Sequence, residues 1–388
     1  MSTDINFLTH EVGSLKKPNI FIKAARNEEL AETDFKEFQE FSKLIGQQTT
    51  DPDLVELLKQ SGPNQKDNTE YHNKLGFWRV KLNIKFKEST GIDLIDAGEW
   101  TRREMYQHIV DNDALSGINL LGHVRSFDYN FYKPGIASSN IVYNNNKSIH
   151  IQEYEWAKQV ATKPLKVCLT AFNTVAEWSL LGKQNFEELM FNLIDEVFIP
   201  ETIKLFEAGA TWIQMDEPAL TTHPDHVDVF VDGWNYWISK VKFHAPSDVV
   251  YSLHNCFSNY DLLWPILQDL DELGALTLEF ANRDTWDLGI NPQPRKAFAE
   301  IIKPLRDLYD GETGFKVKSA LGVLPVHTNH ETTAELIRDR LLFINEIIGD
   351  PKLVLGAPDC GLRQRSLAVS HQLLSNLAEG AQLARDAI

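Results

Sequence analysis

The chain has 388 residues, 43% hydrophobic and 24% charged, inside the globular range and long enough to bury a large core. A formal net charge of −17 argues against nucleic acid or an anionic membrane as the main partner, since both recruit basic surfaces. Three cysteines cannot form an even disulfide framework, Met1-Ser2-Thr3-Asp4-Ile5 has no basic region followed by an apolar core, and no apolar run nears the ~20 residues that span a bilayer, so a reducing cytoplasm is expected.

In chain order, eight apolar or β-branched runs end in polar or glycine-containing turns. They are Phe7–Ser14, Ile92–Gly98, Leu165–Ala171, Thr211–Asp216, Val249–His254, Ala275–Phe280, Ser319–Pro325 and Leu353–Ala357. Most are followed by helical spacing. Asn185–Ala208 shows it through Phe186, Leu189, Met190, Leu193, Ile194 and Val197. Glu331–Ile348 shows it through Ala334, Leu336, Ile337, Leu341, Leu342 and Ile347, with His330-Glu331-Thr332 as its opening. Eight strands alternating with helices predict an α/β fold, a parallel (β/α)8 TIM barrel, as a single domain over residues 1–388.

Two connections are too long for ordinary loops and read as insertions after strands one and two, roughly 15–91 and 100–164. The first holds the amphipathic segments Glu32–Leu44 and Asp53–Gln60. The second begins helically at Trp100–Asp111, runs through the Tyr/Asn-rich stretch Tyr129–Lys147, and returns to a helix near Ile151–Thr162. Ile141–His150 reads as a hairpin with an Asn-rich turn. Both insertions leave from the end of the barrel that carries active sites, so they read either as a substrate wall or as a stability or dimer contact.

Reactive residues gather at the strand ends. Ser14 follows strand one, Glu99 strand two, Asp216 and Glu217 strand four, His254 and Cys256 strand five, Glu279 strand six, His327 strand seven and Cys360 strand eight. His254 and Cys256 are two apart, on one face of an extended chain. With Glu279 and Cys360 they offer one imidazole, two thiols and a carboxylate, a complete tetrahedral Zn2+ shell. The alternative is that Cys256 and Cys360 are buried small hydrophobes; Cys168, inside strand three, reads as a core residue. A thiolate-rich zinc polarises carbonyls poorly and suits binding another sulfur, which points to S-alkylation of a thiol.

Gly13-Ser14, Gly98-Glu99, Met215-Asp216-Glu217-Pro218-Ala219, His254-Asn255-Cys256, Glu279, Val326-His327 and Pro358-Asp359-Cys360-Gly361-Leu362 together resemble the catalytic half of cobalamin-independent methionine synthase, in order and approximate spacing, over nearly the whole chain. That resemblance implies zinc on His254, Cys256, Glu279 and Cys360, holding the sulfur of homocysteine for methylation to methionine. It implies Glu99 and Asp216 on the amino group, Ser14 on the carboxylate, and His327 as a proton donor beside the methyl donor. Asp216 and His327 are then the catalytic candidates. The donor is a methyl-folate, or methylcobalamin on a corrinoid protein, which would need no such proton.

There are departures. Full-length members carry a second, N-terminal barrel, and this chain has one barrel's worth of residues. Leu169-Thr170-Ala171-Phe172-Asn173 replaces the usual Leu-Thr-Gly-Pro. Trp178 matches an aromatic position near the pterin, or is a core tryptophan of the following helix. Single-barrel relatives leave two further readings, alkyl transfer to another thiol such as coenzyme M, and a barrel that binds zinc and an amino acid without turnover.

Overall fold

Seven strands lie side by side in one sheet: β1 (Ile95–Asp96), β6 (Leu165–Thr170), β7 (Trp212–Asp216), β8 (Val250–Asn255), β9 (Leu273–Leu278), β10 (Lys318–Leu321) and β11 (Val354–Leu355). Every neighbouring pair is parallel. The structure, a computed structural model, describes all residues except 1–3, 48–50, 123, 127–128, 133–134, 257–258, 311–313, 315 and 329.

The first expected strand, Phe7–Ser14, is only partly realised. Thr9 bridges Gly356, just past β11, and His10 bridges Leu94, just before β1. His10 N–H donates to the Gly356 carbonyl at 2.9 Å, and Leu94 N–H donates to that of Thr9 at 2.9 Å. One short extended segment therefore joins both edges of the curled sheet, in the TIM-barrel-like arrangement the alternation predicts. Pairing ends after His10 because side chains take the next carbonyls. Lys166 Nζ donates to Glu11 O at 2.5 Å and Gln214 Nε2 donates to Val12 O at 2.8 Å.

Inside the sheet, an apolar group of Leu8, Leu94, Trp212, Ala275, Ala320 and Leu355 packs together. The inward face turns polar toward the strand ends, where His10, Lys166, Gln214 and Ser252 are all buried. The larger core lies between the sheet and its helices.

The insertion of residues 15–91 folds as the helices Asn19–Ala25, Glu32–Leu44, Pro52–Lys59 and Thr69–Thr90. The last has 22 residues; the Asn68 side chain caps it through Tyr71 N–H at 3.1 Å, and Gly91 ends it at φ +89. Its Lys87 ammonium is buried and reaches Asp96 on β1 and Glu11, the latter at 3.3 Å.

The second insertion holds the helix Met105–Val110, strands β2 (Leu115–Leu120), β3 (Val124–Ser126), β4 (Tyr129–Tyr132) and β5 (Gly135–Tyr143), and the helix Ile151–Val160. The hairpin expected over Ile141–His150 is absent: Ile141–Tyr143 ends β5, whose partner is the earlier strand β2. The chain after the Asn-rich turn is drawn instead to Glu201. That carboxylate accepts from Tyr143 Oη, Ser148 Oγ (2.8 Å), and the amides of Ile149 (3.1 Å) and His150 (2.6 Å).

The expected Asn185–Ala208 helix is present as Phe186–Leu193, a π-turn Ile194–Phe198, and Ile199–Glu207. Pro200 lacks an N–H, and the widened turn before it tolerates the loss. The helix expected from Glu331 begins at Ala334, because Thr333 caps it through Leu336 N–H at 3.3 Å. Among the described residues no helix is long and apolar enough to cross a membrane.

Burial opposes ionisation of Glu201, yet hydrogen bonds from His150, Tyr143 and backbone amides outweigh it and hold the carboxyl down at about 2. A depressed carboxyl stabilises the fold above its unfolded value near 4.5, and the contribution is lost as pH falls toward 2. Glu201→Gln should therefore cost on the order of 3 kcal/mol at neutral pH. Urea melts across acid pH should show the gap to the unmodified protein closing below the range where carboxylates titrate.

Candidate functional site

β8 delivers the first group of site residues. His254 Nδ1 lies 3.2 Å from the Thr277 carbonyl, which can only accept, so Nδ1 carries a proton and Nε2 is the nitrogen left to a metal. Cys256 follows one residue after the strand, and Cys360 comes from the turn after β11. One ligand atom from each of His254, Cys256 and Cys360 lies within 4.8 Å of the others. A hydrogen bond from Cys256, outweighing burial, and the nearby His254 imidazole hold Cys360 well below the ordinary thiol range. That bond and burial push Cys256 well above it. Two sulfurs with an imidazole nitrogen are a donor set suited to Zn2+.

Glu279 directly follows β9, beside this group but outside the cluster of three. It is buried, its N–H donates to Tyr260 Oη at 2.6 Å, and its carboxylate accepts from the Asn282 side chain. Its charge reaches Cys256. Asp359, next to Cys360, clamps the chain that follows Glu279. It accepts from the N–H groups of Phe280 (2.8 Å), Ala281 (2.7 Å) and Asn282 (2.9 Å). Gly322 makes room for it, since a Cβ there would stand 2.0 Å from Asp359 Oδ1.

A second group lies on the neighbouring strands. Ligand atoms of Glu99, Cys168 and Asp216 also lie within 4.8 Å of one another. Glu99 sits at φ +77, a conformation that turns its side chain back over Gly13, where a Cβ would lie 3.2 Å from Oε1. Burial, then Asp96, push the Glu99 carboxyl up to about 8 against the Arg102 guanidinium 3.6 Å away. Burial also raises Asp216. Ser14 is half-buried, and the loop after β11 touches it: a Cβ on Gly361 would stand 2.7 Å from Ser14 Oγ.

The sequence model of the family described as "Cobalamin-independent synthase, Catalytic domain" matches residues 44–383. The chain belongs to that family. It is 34% identical over 323 residues to a methionine synthase of Thermoplasma volcanium, covering 80% of this chain and 89% of the relative. It is 31% identical to that of Thermoplasma acidophilum, covering 95% and 96%. In fold it is similar to a B12-independent methionine synthase from Shewanella sp. W3-18-1, with a TM-score of 0.70, 19% identity and 99% of both chains covered.

The family resemblance read from the sequence thus holds over most of the chain. Besides Glu279 and Ser14, two of its residues lie outside both clusters. His327 is exposed in the bend after β10. Trp178 is half-buried at the end of the helix Phe172–Glu177, its ring 6.4 Å from that of Tyr106. Glu217, paired with Asp216 in the sequence, is a structural clamp. It is fully buried and accepts from Thr174 N–H (2.9 Å), Thr174 Oγ1 (2.7 Å) and Asn173 N–H (3.2 Å).

Sequence reading missed several members of the site. Cys168 is buried in the core, as expected, and its thiol also lies beside Glu99 and Asp216. Arg102 ties the region together, with Nε donating to Glu153 at 3.0 Å and Nη1 to Cys168 O at 2.8 Å. A usable signal existed for two of them: alternation places Cys168 with Lys166 and Thr170, and Gln214 with Asp216, on single faces of β6 and β7. Nothing local marks Arg102. Asp359→Ala should strand the two buried amides of Phe280 and Ala281, release the more exposed one of Asn282, and destabilise the protein by roughly 2–4 kcal/mol in urea melts.

Proposed function

We propose that this chain is a zinc-dependent methyltransferase that moves a methyl group to the thiol of homocysteine and forms methionine. The observation that carries the reading is the β7–β8 register, which pairs Asp216 with His254. The sulfur- and nitrogen-rich group and the buried carboxylate pocket therefore stand side by side, as a thiol and an ammonium on one small molecule require. The names of the relatives, all methionine synthases, support the same substrate.

His254, Cys256 and Cys360 would hold Zn2+, with Glu279 as fourth ligand. Bound there, the metal would keep the substrate sulfur as an electron-rich thiolate near neutral pH. The protein's own residues do the rest. Glu99 and Asp216 take up the substrate ammonium, which neutralises carboxylates that burial has made costly to ionise. Ser14 receives the carboxylate through its backbone or hydroxyl. The bound thiolate is thereby aligned for in-line attack on the methyl group. Trp178 offers an aromatic face to a pterin. His327, exposed on its loop, hands a proton to the leaving nitrogen of a methyl-folate; methylcobalamin or a corrinoid protein would leave it idle. Three free thiols accord with a cytoplasmic setting.

Metal analysis of protein purified without chelators and reconstituted with zinc should find about one zinc per chain. Cys256→Ser and Cys360→Ser should each lose it while Cys168→Ser keeps it; no zinc in the unmodified protein would remove the mechanism. Calorimetry should show Glu99→Gln and Asp216→Asn weakening homocysteine binding by ~1–3 kcal/mol each, with zinc content unchanged. Anaerobic assays with methyl-folate and, separately, methylcobalamin should yield methionine from one of them. His327→Asn should slow the folate reaction by on the order of 10²–10⁴ and spare a cobalamin reaction. Methionine from neither donor would turn attention to other thiols.

A further inference from the structure

We propose that Gln214, oriented by the buried Lys166, is a positioning residue that sets the Asp216 carboxylate for a substrate ammonium and ties it to the turn carrying Ser14. The inference rests on the amino-acid thiol reading above and names what makes that site selective.

Gln214 lies two residues before Asp216 on β7 and is buried. Its Nε2 donates to Asp216 Oδ1 at 2.7 Å and to the Val12 carbonyl at 2.8 Å. Its Oε1 accepts from Lys166 Nζ at 2.6 Å. An ammonium can only donate, so the oxygen of the amide must face Lys166 and the nitrogen must face Asp216. The amide has one orientation. Lys166 is itself fixed, fully buried, with Nζ donating to Glu11 O at 2.5 Å and lying 3.0 Å from His10 Nδ1.

The consequence reaches both ends of the amino-acid pocket. With Oδ1 anchored, the Asp216 carboxylate is held in one plane and Oδ2 is the oxygen left to meet an ammonium. The Val12 carbonyl, which also accepts from Cys168 Sγ at 3.7 Å, immediately precedes Gly13-Ser14. One amide thus fixes the position of the ammonium partner relative to the carboxylate-binding turn. None of its partners belongs to the His254–Cys256–Cys360 group.

The test compares homocysteine with 4-mercaptobutanoate, the same thiol acid without its amino group, by calorimetry on zinc-reconstituted protein. Gln214→Leu removes both the acceptor and the donors. Gln214→Glu keeps the length and the acceptor for Lys166 but, ionised beside that ammonium, has no N–H to give. Both variants should lose about 10-fold or more in affinity for homocysteine, the scale of a hydrogen bond to a charged group, and much less for 4-mercaptobutanoate. Zinc content should stay the same. Should Gln214→Leu fail to fold, Gln214→Glu carries the test. A Gln214→Glu protein with the unmodified preference for homocysteine would overturn the proposal and leave the amino-acid reading standing. An unmodified protein that binds both thiols equally would overturn both.

Discussion

The parallel register between β7 and β8 is the constraint on which the site depends. Pairing runs from Trp212 with Val250 to Asp216 with His254. A slip of one residue would turn Gln214 and Asp216 outward and separate the carboxylate pocket from the metal-type ligands. Several interactions hold that register. Trp212 Nε1 donates to Ser252 Oγ at 3.0 Å across the two strands, and Glu217 N–H donates to His254 O at 2.8 Å at their ends. Asn255 Nδ2 returns a hydrogen bond to Glu217 O. These contacts join side chain and backbone, so sequence and register specify each other.

The interior of this barrel is polar in the half nearest its mouth, and charge is arranged there unevenly. Lys87 is compensated by Asp96 and Glu11, and Arg102 by Glu153 and Glu99. Lys166, by contrast, sits among neutral acceptors, while burial raises the carboxyls of Glu99 and Asp216 even though the Arg102 guanidinium lies 3.6 Å from Glu99. Buried charges left in that state are costly unless something completes them. The ammonium of a zwitterionic substrate, as proposed above, would offset that cost. Preorganised strain of this kind belongs at a binding site, and the left-handed backbone at Glu99 fits the same pattern.

The chain also shows how a family fold absorbs a local departure. Ala171-Phe172 stands where Gly-Pro is usual, and the phenyl ring is fully buried against Phe198, Phe230 and Trp237, with centroids 5.7, 6.0 and 6.5 Å away. The helix Phe172–Glu177 begins directly after β6 and is pinned to β7 by Glu217. Aromatic packing and a carboxylate clamp hold the turn.

The sequence by itself determined the alternation of strands and helices, the two long insertions, and the turns beyond the strands in or beside which Ser14, Glu99, Asp216, His254, Cys256, Glu279, His327 and Cys360 stand. Those properties follow from hydrophobic period and turn chemistry, which act over a few residues. Tertiary structure alone decided which residues meet. Cys168 reads as core because a buried thiol is apolar in pattern, and only the neighbouring strands reveal its two carboxylate neighbours. Lys87 and Arg102 reach the interior from the insertions, through contacts that no local pattern encodes. The expected hairpin at Ile141–His150 failed for the same reason: its turn chemistry was sound, but a carboxylate 51 residues away offered the backbone amides a better partner than a returning strand.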